Sequence, residues 1–415
     1  MRAPRARGLR RASPPRLLFI TNEILGLGHL RIALRLSAAI RSELPDAAVL
    51  ILTAASMTHA FPLPDGVEIV KIPGVLRGSG NPGAYRSARL PVPVDDVRKL
   101  RERMILETAR TFRPDICLVD YRPGGVGGEL LPMLRMLRRR GAANVLILRD
   151  VLDDPALVHQ RWRVDRGVVA LKTLYDEIWV YGCQALYDPI KEYRFPAVVA
   201  RKVRFCGYLD VEPTDGSADE TRQILGVGTG RLALVTVGNG RVGFPLLDAY
   251  LGALERLPRD LDLFSLIVTG PELPAAQREA IRRRCDAAGP RRAMLADFLP
   301  RLLDYMTAAD IVVSLGGYNT MSEVVSLGKR AVVVPYADEH QEQVLRAALL
   351  DRLGVIRTVA PDRLTPQRLA DAILAAFGDA PPGPQRLHEL GFEFGGLRRI
   401  AEHVARVLGR GAPRG

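Results

Sequence analysis

An apolar run, ADIVVS at 309–314, hands over to Gly316 and Gly317, then to a short polar turn, a compact helical pattern and a second apolar run ending at Pro335. This is the pattern of one βαβ unit, and no other stretch constrains the fold as tightly. The two glycines lie where strand passes to helix. Without Cβ atoms they can bring bare N–H groups to a ligand, and the following helix places about half a positive charge at its N-terminus. An anion is the natural guest of such a turn.

Thr320 and Glu323 close the turn, and the residues alone leave two readings open. Thr320-Met321-Ser322-Glu323 fits a capping box, in which the hydroxyl and the carboxylate each satisfy a backbone donor. Alternatively the Thr320 hydroxyl meets a phosphate and the Glu323 carboxylate accepts from two ribose hydroxyls. The second reading requires Glu323 to face the gap between two lobes.

The same strand–glycine–helix pattern recurs along the chain. Residues 17–21 are apolar and lead into NEILGLGH, with Gly26 and Gly28, followed by Ala33, Leu36, Ile40 and Leu44 at helical spacing. Strand patterns follow at 48–53, 67–72, 115–120, 144–150, 177–182 and 203–208, and a helical pattern at 95–111. Strands apolar on both faces predict a parallel sheet covered on both sides. A polar, turn-rich stretch at 209–218 reads as a linker. After it, LALVTVGNGRVGF at 232–244 repeats the arrangement, with Gly238, Asn239 and Gly240 at the turn. At 415 residues two cores are expected. The sequence thus predicts α/β architecture: a basic tail at 1–16, Rossmann-like doubly wound domains at 17–208 and 219–384, and terminal helices at 385–415.

His29 and Asp120 are the chemistry-bearing residues of the first half. A histidine after GxG can simply cap a helix or bind an anion. Asp120 ends a predicted strand, at the sheet edge where open parallel sheets place their crevice. A carboxylate there could fix the tautomer of His29 and stabilise its imidazolium. YRPGGVGGEL at 121–130 holds a second glycine loop with Gly124 and Gly125, an ordinary turn on its residues alone. Residues 73–93, rich in glycine and proline, show no periodicity and read as a long loop.

The segment 298–354 resembles the donor site of the family 28 glycosyltransferases, of the peptidoglycan N-acetylglucosaminyltransferase type. The resemblance implies a GT-B fold, two Rossmann-like domains facing across a cleft. It puts Thr320 on donor phosphate, Glu323 on ribose, Glu342 and Gln343 on the donor sugar, and the Leu299 backbone on uracil. Gly238, Asn239 and Gly240 fall on a loop that contacts donor phosphates. His29 falls on the histidine that is the general base in many nucleotide-sugar transferases, and the Gly124–Gly125 loop on one that closes over the cleft. Glu342 departs from the family, which has Gln there, and GLGHLRI lacks the second adjacent glycine and the proline of GGHxxP. The implied function is inverting, metal-independent sugar transfer from a UDP-sugar to an unidentified acceptor. The alternatives are a UDP-sugar hydrolase or epimerase on the same fold, since Arg31 follows GLGH closely, or a non-catalytic nucleotide-sugar binder.

Composition narrows the partners. Six arginines in the first 16 residues supply nearly half of the net charge of +13. A basic chain suits an anionic partner, a nucleotide sugar first and weak peripheral contact with a membrane surface second; no pattern points to nucleic acid. No apolar run nears the roughly 20 residues that span a bilayer. The four cysteines are scattered without a CxxC pair, which predicts a reduced, cytoplasmic protein. No cofactor or metal motif is present, and Asp260-Leu261-Asp262 reads as a chance match to a metal-binding DxD.

Overall fold

The computed structural model describes residues 13–21, 28–77, 84–211, 217–337 and 341–409. Fifteen strands occur among them. The first nine are β1 (Arg16–Ile20), β2 (Ala48–Thr53), β3 (Val67–Lys71), β4 (Val75–Arg77), β5 (Tyr85–Ser87), β6 (Ile116–Asp120), β7 (Ala143–Arg149), β8 (Glu177–Tyr181) and β9 (Val203–Phe205). The others are β10 (Arg231–Thr236), β11 (Leu263–Val268), β12 (Ala293–Ala296), β13 (Ile311–Ser314), β14 (Arg330–Val333) and β15 (Arg357–Thr358). Two sheets form, in the orders β3-β2-β1-β6-β7-β8-β9 and β12-β11-β10-β13-β14-β15. All their pairings are parallel.

Central strands such as β6 and β11 are buried along their whole length, because helices cover both faces and a parallel strand has no wet side. Each sheet therefore has separate apolar clusters above and below it. Strand order reverses between β1 and β6 in the first sheet and between β10 and β13 in the second. Diverging connections open a crevice at such a switch point. The loop after β6 flanks one, those after β10 and β13 the other, and residues 22–27 after β1 lie outside the described residues.

Residues 73–93, expected to be one long loop, instead contain the antiparallel ribbon β4-β5, with 78–83 outside the described residues. The carboxy-terminal chain returns to the first lobe. The Gly396–Gly409 helix packs on the Gly28–Glu43 helix and on β6, and Arg406 pairs with Glu177 at 2.8 Å. The four cysteines are buried and unbonded to one another. No helix of the described residues is long and apolar enough to cross a membrane.

Candidate active site

The two switch points face each other across a cleft of about 320 Å³. The first lobe supplies Gly28, Arg31, Phe61 and Arg149. The second supplies Gly238, Asn239, Leu299, Gly317, Thr320, Glu342 and Gln343 among its walls. Gly317 caps the Tyr318–Ser326 helix and its missing Cβ would meet nothing within 4 Å, so the helix N-terminus is open to the cleft. Phe298 and Phe61 meet edge to face across the lobes, centroids 6.0 Å apart.

His29 sits in the first turn of the Gly28–Glu43 helix, directly after the β1 loop. Its Nδ1 lies 2.5 Å from Oδ2 of Asp120, at the end of β6. The carboxylate accepts, so Nδ1 carries the proton, and in the neutral ring Nε2 then keeps its lone pair. Asp120 is fully buried and also accepts from the Tyr181 hydroxyl at 3.3 Å. Burial pushes the Tyr181 phenol well above its ordinary range, which keeps it a neutral donor.

Three arginines complete the site; the sequence reading passed over Arg149 and Arg346 and noted Arg31 only for its place after GLGH. Arg149 closes β7 and donates through Nη1 to Glu342 Oε1 at 2.7 Å, while its Nη2 lies 3.3 Å from His29 Nε2. Arg346, fully buried, reaches the same Glu342 oxygen at 2.9 Å and donates to the Val151 carbonyl of the first lobe at 3.1 Å. Burial pushes the Glu342 carboxyl up, but Arg149 and Arg346 pull it further down, leaving a net depression. This explains the departure from Gln: a neutral amide could not balance two guanidinium groups meeting at the seam. The signal that could have found Arg149 is the one that found Asp120, a polar residue at the carboxyl end of an apolar strand.

Arg31 lines the cleft and overturns an expectation. Its Nη2 lies 2.7 Å from Glu323 Oε1, and the Glu323 side chain is fully buried rather than facing the gap. Helical geometry explains this: residues 320 and 323 are one turn apart inside the helix, and the first lobe packs over the second position. The capping box is also absent, because Gly317 is the N-cap and Thr320 lies inside the helix. Despite the short ion pair, neither Glu323 oxygen meets a donor at a hydrogen-bonding angle. Arg35 approaches Glu323 at 3.9 Å; burial pulls its guanidinium below the ordinary range in spite of that carboxylate.

Several of the predicted glycines fall away from the cleft. Gly316 is buried with φ of +84°, and a Cβ there would lie 2.8 Å from Val333. Gly240 backs onto the Thr269 carbonyl. Gly124 and Gly125 are buried, and a Cβ on Gly124 would lie 1.9 Å from the Asp165 carbonyl oxygen. That loop is packed structure, because the Asp165 main chain leaves it no room for side chains, and it does not cover the cleft. Gly26 lies outside the described residues. Asn239 lines the cleft and donates to Glu272 at 3.0 Å, and Gln343 accepts from the Tyr336 amide at 3.2 Å. Asp260 and Asp262 sit in the turn before β11.

Residues 233–384 match the family model described as Glycosyltransferase family 28 C-terminal domain. Among curated proteins, the UDP-N-acetylglucosamine–N-acetylmuramyl-(pentapeptide) pyrophosphoryl-undecaprenol N-acetylglucosamine transferase of Sorangium cellulosum is 31% identical over 183 residues, 43% of this chain and 44% of that protein. The like-named protein of Methylobacterium radiotolerans is 32% identical over 130 residues, 31% of this chain and 35% of that one. The chain thus spans less than half the length of the curated relatives it matches. Similar solved structures include Acinetobacter baumannii MurG, with TM-score 0.56, 16% identity and coverage of 96% of this chain and 100% of that one. A transferase from Siraitia grosvenorii in complex with UDP has TM-score 0.60 and 12% identity, covering 95% and 99%. At such identities these structures speak for the fold. Residues 233–384 are thus similar to the C-terminal domain of the family 28 glycosyltransferases, and the paired doubly wound sheets have the GT-B fold.

Proposed function

We propose that the protein is an inverting glycosyltransferase that moves a sugar from a UDP-sugar to an acceptor hydroxyl, with no resident metal. The observation that carries this reading is the His29–Asp120 pair at one switch point, facing the glycine loop and helix N-terminus of the other. In the reaction, the acceptor oxygen forms a bond to the anomeric carbon as its proton passes to His29 Nε2. The bond to the UDP oxygen breaks and its electron pair leaves with the diphosphate, through a transition state of oxocarbenium character. Asp120 holds the imidazole and balances its charge. Amides of the Gly238 loop and the N-terminus of the Tyr318–Ser326 helix meet the charge growing on the phosphate.

A ribose role for Glu323 would need a state in which Arg31 has withdrawn from it, because its side chain is fully buried under that ion pair. The acceptor is unassigned. Cytoplasmic placement, with peripheral contact at an anionic membrane face, suits the basic composition.

The test is a thermal-shift panel of nucleotides combined with a His29→Ala variant. A ligand binding only the folded state at about a hundred times its Kd adds about 2.7 kcal/mol of stability, so UDP should raise the melting point of both proteins. Turnover of the variant should fall by about 10² to 10⁴. No shift with UDP, or near-normal turnover in the variant, would overturn the proposal.

A further inference from the structure

The contact between Arg149 and His29 bears on how a transferase keeps its base away from water. A guanidinium only donates. With Nδ1–H committed to Asp120, the Arg149 Nη2–H therefore points its hydrogen-bonding capacity at the Nε2 lone pair, the atom that has to accept the acceptor's proton. At 3.3 Å the contact is long for such a bond, which makes it displaceable. The guanidinium is otherwise well held. Nη1 is fixed to Glu342 on the opposite lobe, and the Tyr121 and Tyr318 rings lie 5.9 and 5.7 Å from its central carbon. Its Nε is buried without a hydrogen-bond partner, leaving one unused donor beside the cleft. A buried donor left unpaired costs free energy.

We propose that Arg149 is a specificity-determining residue that occupies the His29 lone pair until substrate oxygens draw it off, so that the base is not spent on water. The inference rests on the reading of His29 as general base. Glu342 gives the guard its logic. It stands in the second lobe yet anchors a first-lobe arginine, so Arg149 lies beside His29 while Glu342 joins the two lobes. A sugar hydroxyl competing for Glu342 loosens that anchor, and the spare Nε–H then has a substrate oxygen to meet. Removing the guard should raise hydrolysis of the donor relative to transfer.

The test begins without substrate. Diethyl pyrocarbonate acylates an accessible imidazole lone pair, and peptide mass spectrometry locates the label on His29. In Arg149→Met the labelling rate should rise about tenfold, the scale of one hydrogen bond to a charged group, and Arg149→Lys, which keeps a donor, should restore protection. Arg346→Met also removes a cation from Glu342 but does not touch His29, so it should label like wild type. Labelling of Arg149→Met at the wild-type rate, or equal acceleration in Arg346→Met through loosened lobes, overturns the guard. As a second measurement, release of free sugar from UDP-N-acetylglucosamine and UDP-glucose is followed without acceptor. Faster release in Arg149→Met supports the guard, and unchanged release from a sugar that wild type hydrolyses overturns it. Failure of UDP to shift the melting point would instead strike the transferase reading, while the label on His29 still decides the role of Arg149.

Discussion

Glu342 shows what one residue contributes when two lobes meet through it. Its carboxylate faces Arg149 at 2.7 Å and Arg346 at 2.9 Å with its side chain 15% exposed. Removing one partner of such a buried set typically costs about 3 kcal/mol or more, because the remaining charges stay buried. Glu342→Gln is therefore expected to lower the denaturant midpoint at neutral pH. The folded-state pKa is depressed below the ordinary 4.5, so the stability this group contributes is present above that value and lost as pH falls through the depressed pKa. The midpoint of Glu342→Gln plotted against pH should thus converge on that of wild type below about pH 4.5; parallel curves would show that Glu342 carries no such linkage. Sequence position marked this residue as a departure, but its reason was only half legible, since Arg346 stands one turn along the same helix while Arg149 comes from the other lobe. Asp120 was legible because a strand end has a known place in a parallel sheet. Glu323 was misplaced because spacing along a helix does not reveal what the other lobe lays over it.

Elements were more readable than contacts. Strand patterns at 48–53 and 177–182 match β2 and β8 closely, because doubly buried parallel strands are apolar throughout and need no alternation. The β4-β5 ribbon was missed because strands of three residues are too short for a period to show. Glycine loops looked alike in sequence and differ in the structure. At Gly124 a Cβ would lie 1.9 Å from a main-chain oxygen, and overpacking of rigid backbone costs about 3 kcal/mol or more. Gly238, with φ of +68°, has open space where its Cβ would be, so alanine there should cost only the left-handed conformation, about 1 kcal/mol. Gly124→Ala is therefore expected to lower the denaturant midpoint sharply or prevent folding. Gly238→Ala should fold with a small loss while weakening UDP, since its new methyl enters the cleft. Similar midpoints for the two variants would contradict this division between packing glycine and site glycine.

At the scale of the whole molecule, the Arg31–Glu323 pair joins the lobes at 2.7 Å, and under the proposed function it would tie nucleotide binding to their position. Arg31 belongs to the helix that follows β1, and Glu323 to the helix that follows β13, so they stay together only while the cleft is narrow. Glu323 is fully buried and under-satisfied in hydrogen bonds. A ribose offering two hydroxyls would meet the carboxylate better than Arg31 does, but only after the ion pair has broken. Under the proposed function the free energy of that pair would be subtracted from the affinity for UDP, as for any ligand that binds a minor conformation. Two substitutions then move affinity in opposite directions. Glu323→Ala should weaken UDP by about 1.5 to 3 kcal/mol, the scale of hydrogen bonds to a charged group. Arg31→Met leaves the carboxylate without its close counter-ion and should tighten UDP by about tenfold, while lowering the stability of the unliganded protein. Titration calorimetry with UDP on both variants decides the matter. If Arg31→Met folds and binds UDP more weakly than wild type, the arginine grips the nucleotide rather than guarding its site, and the lobes need not part for ribose to reach Glu323.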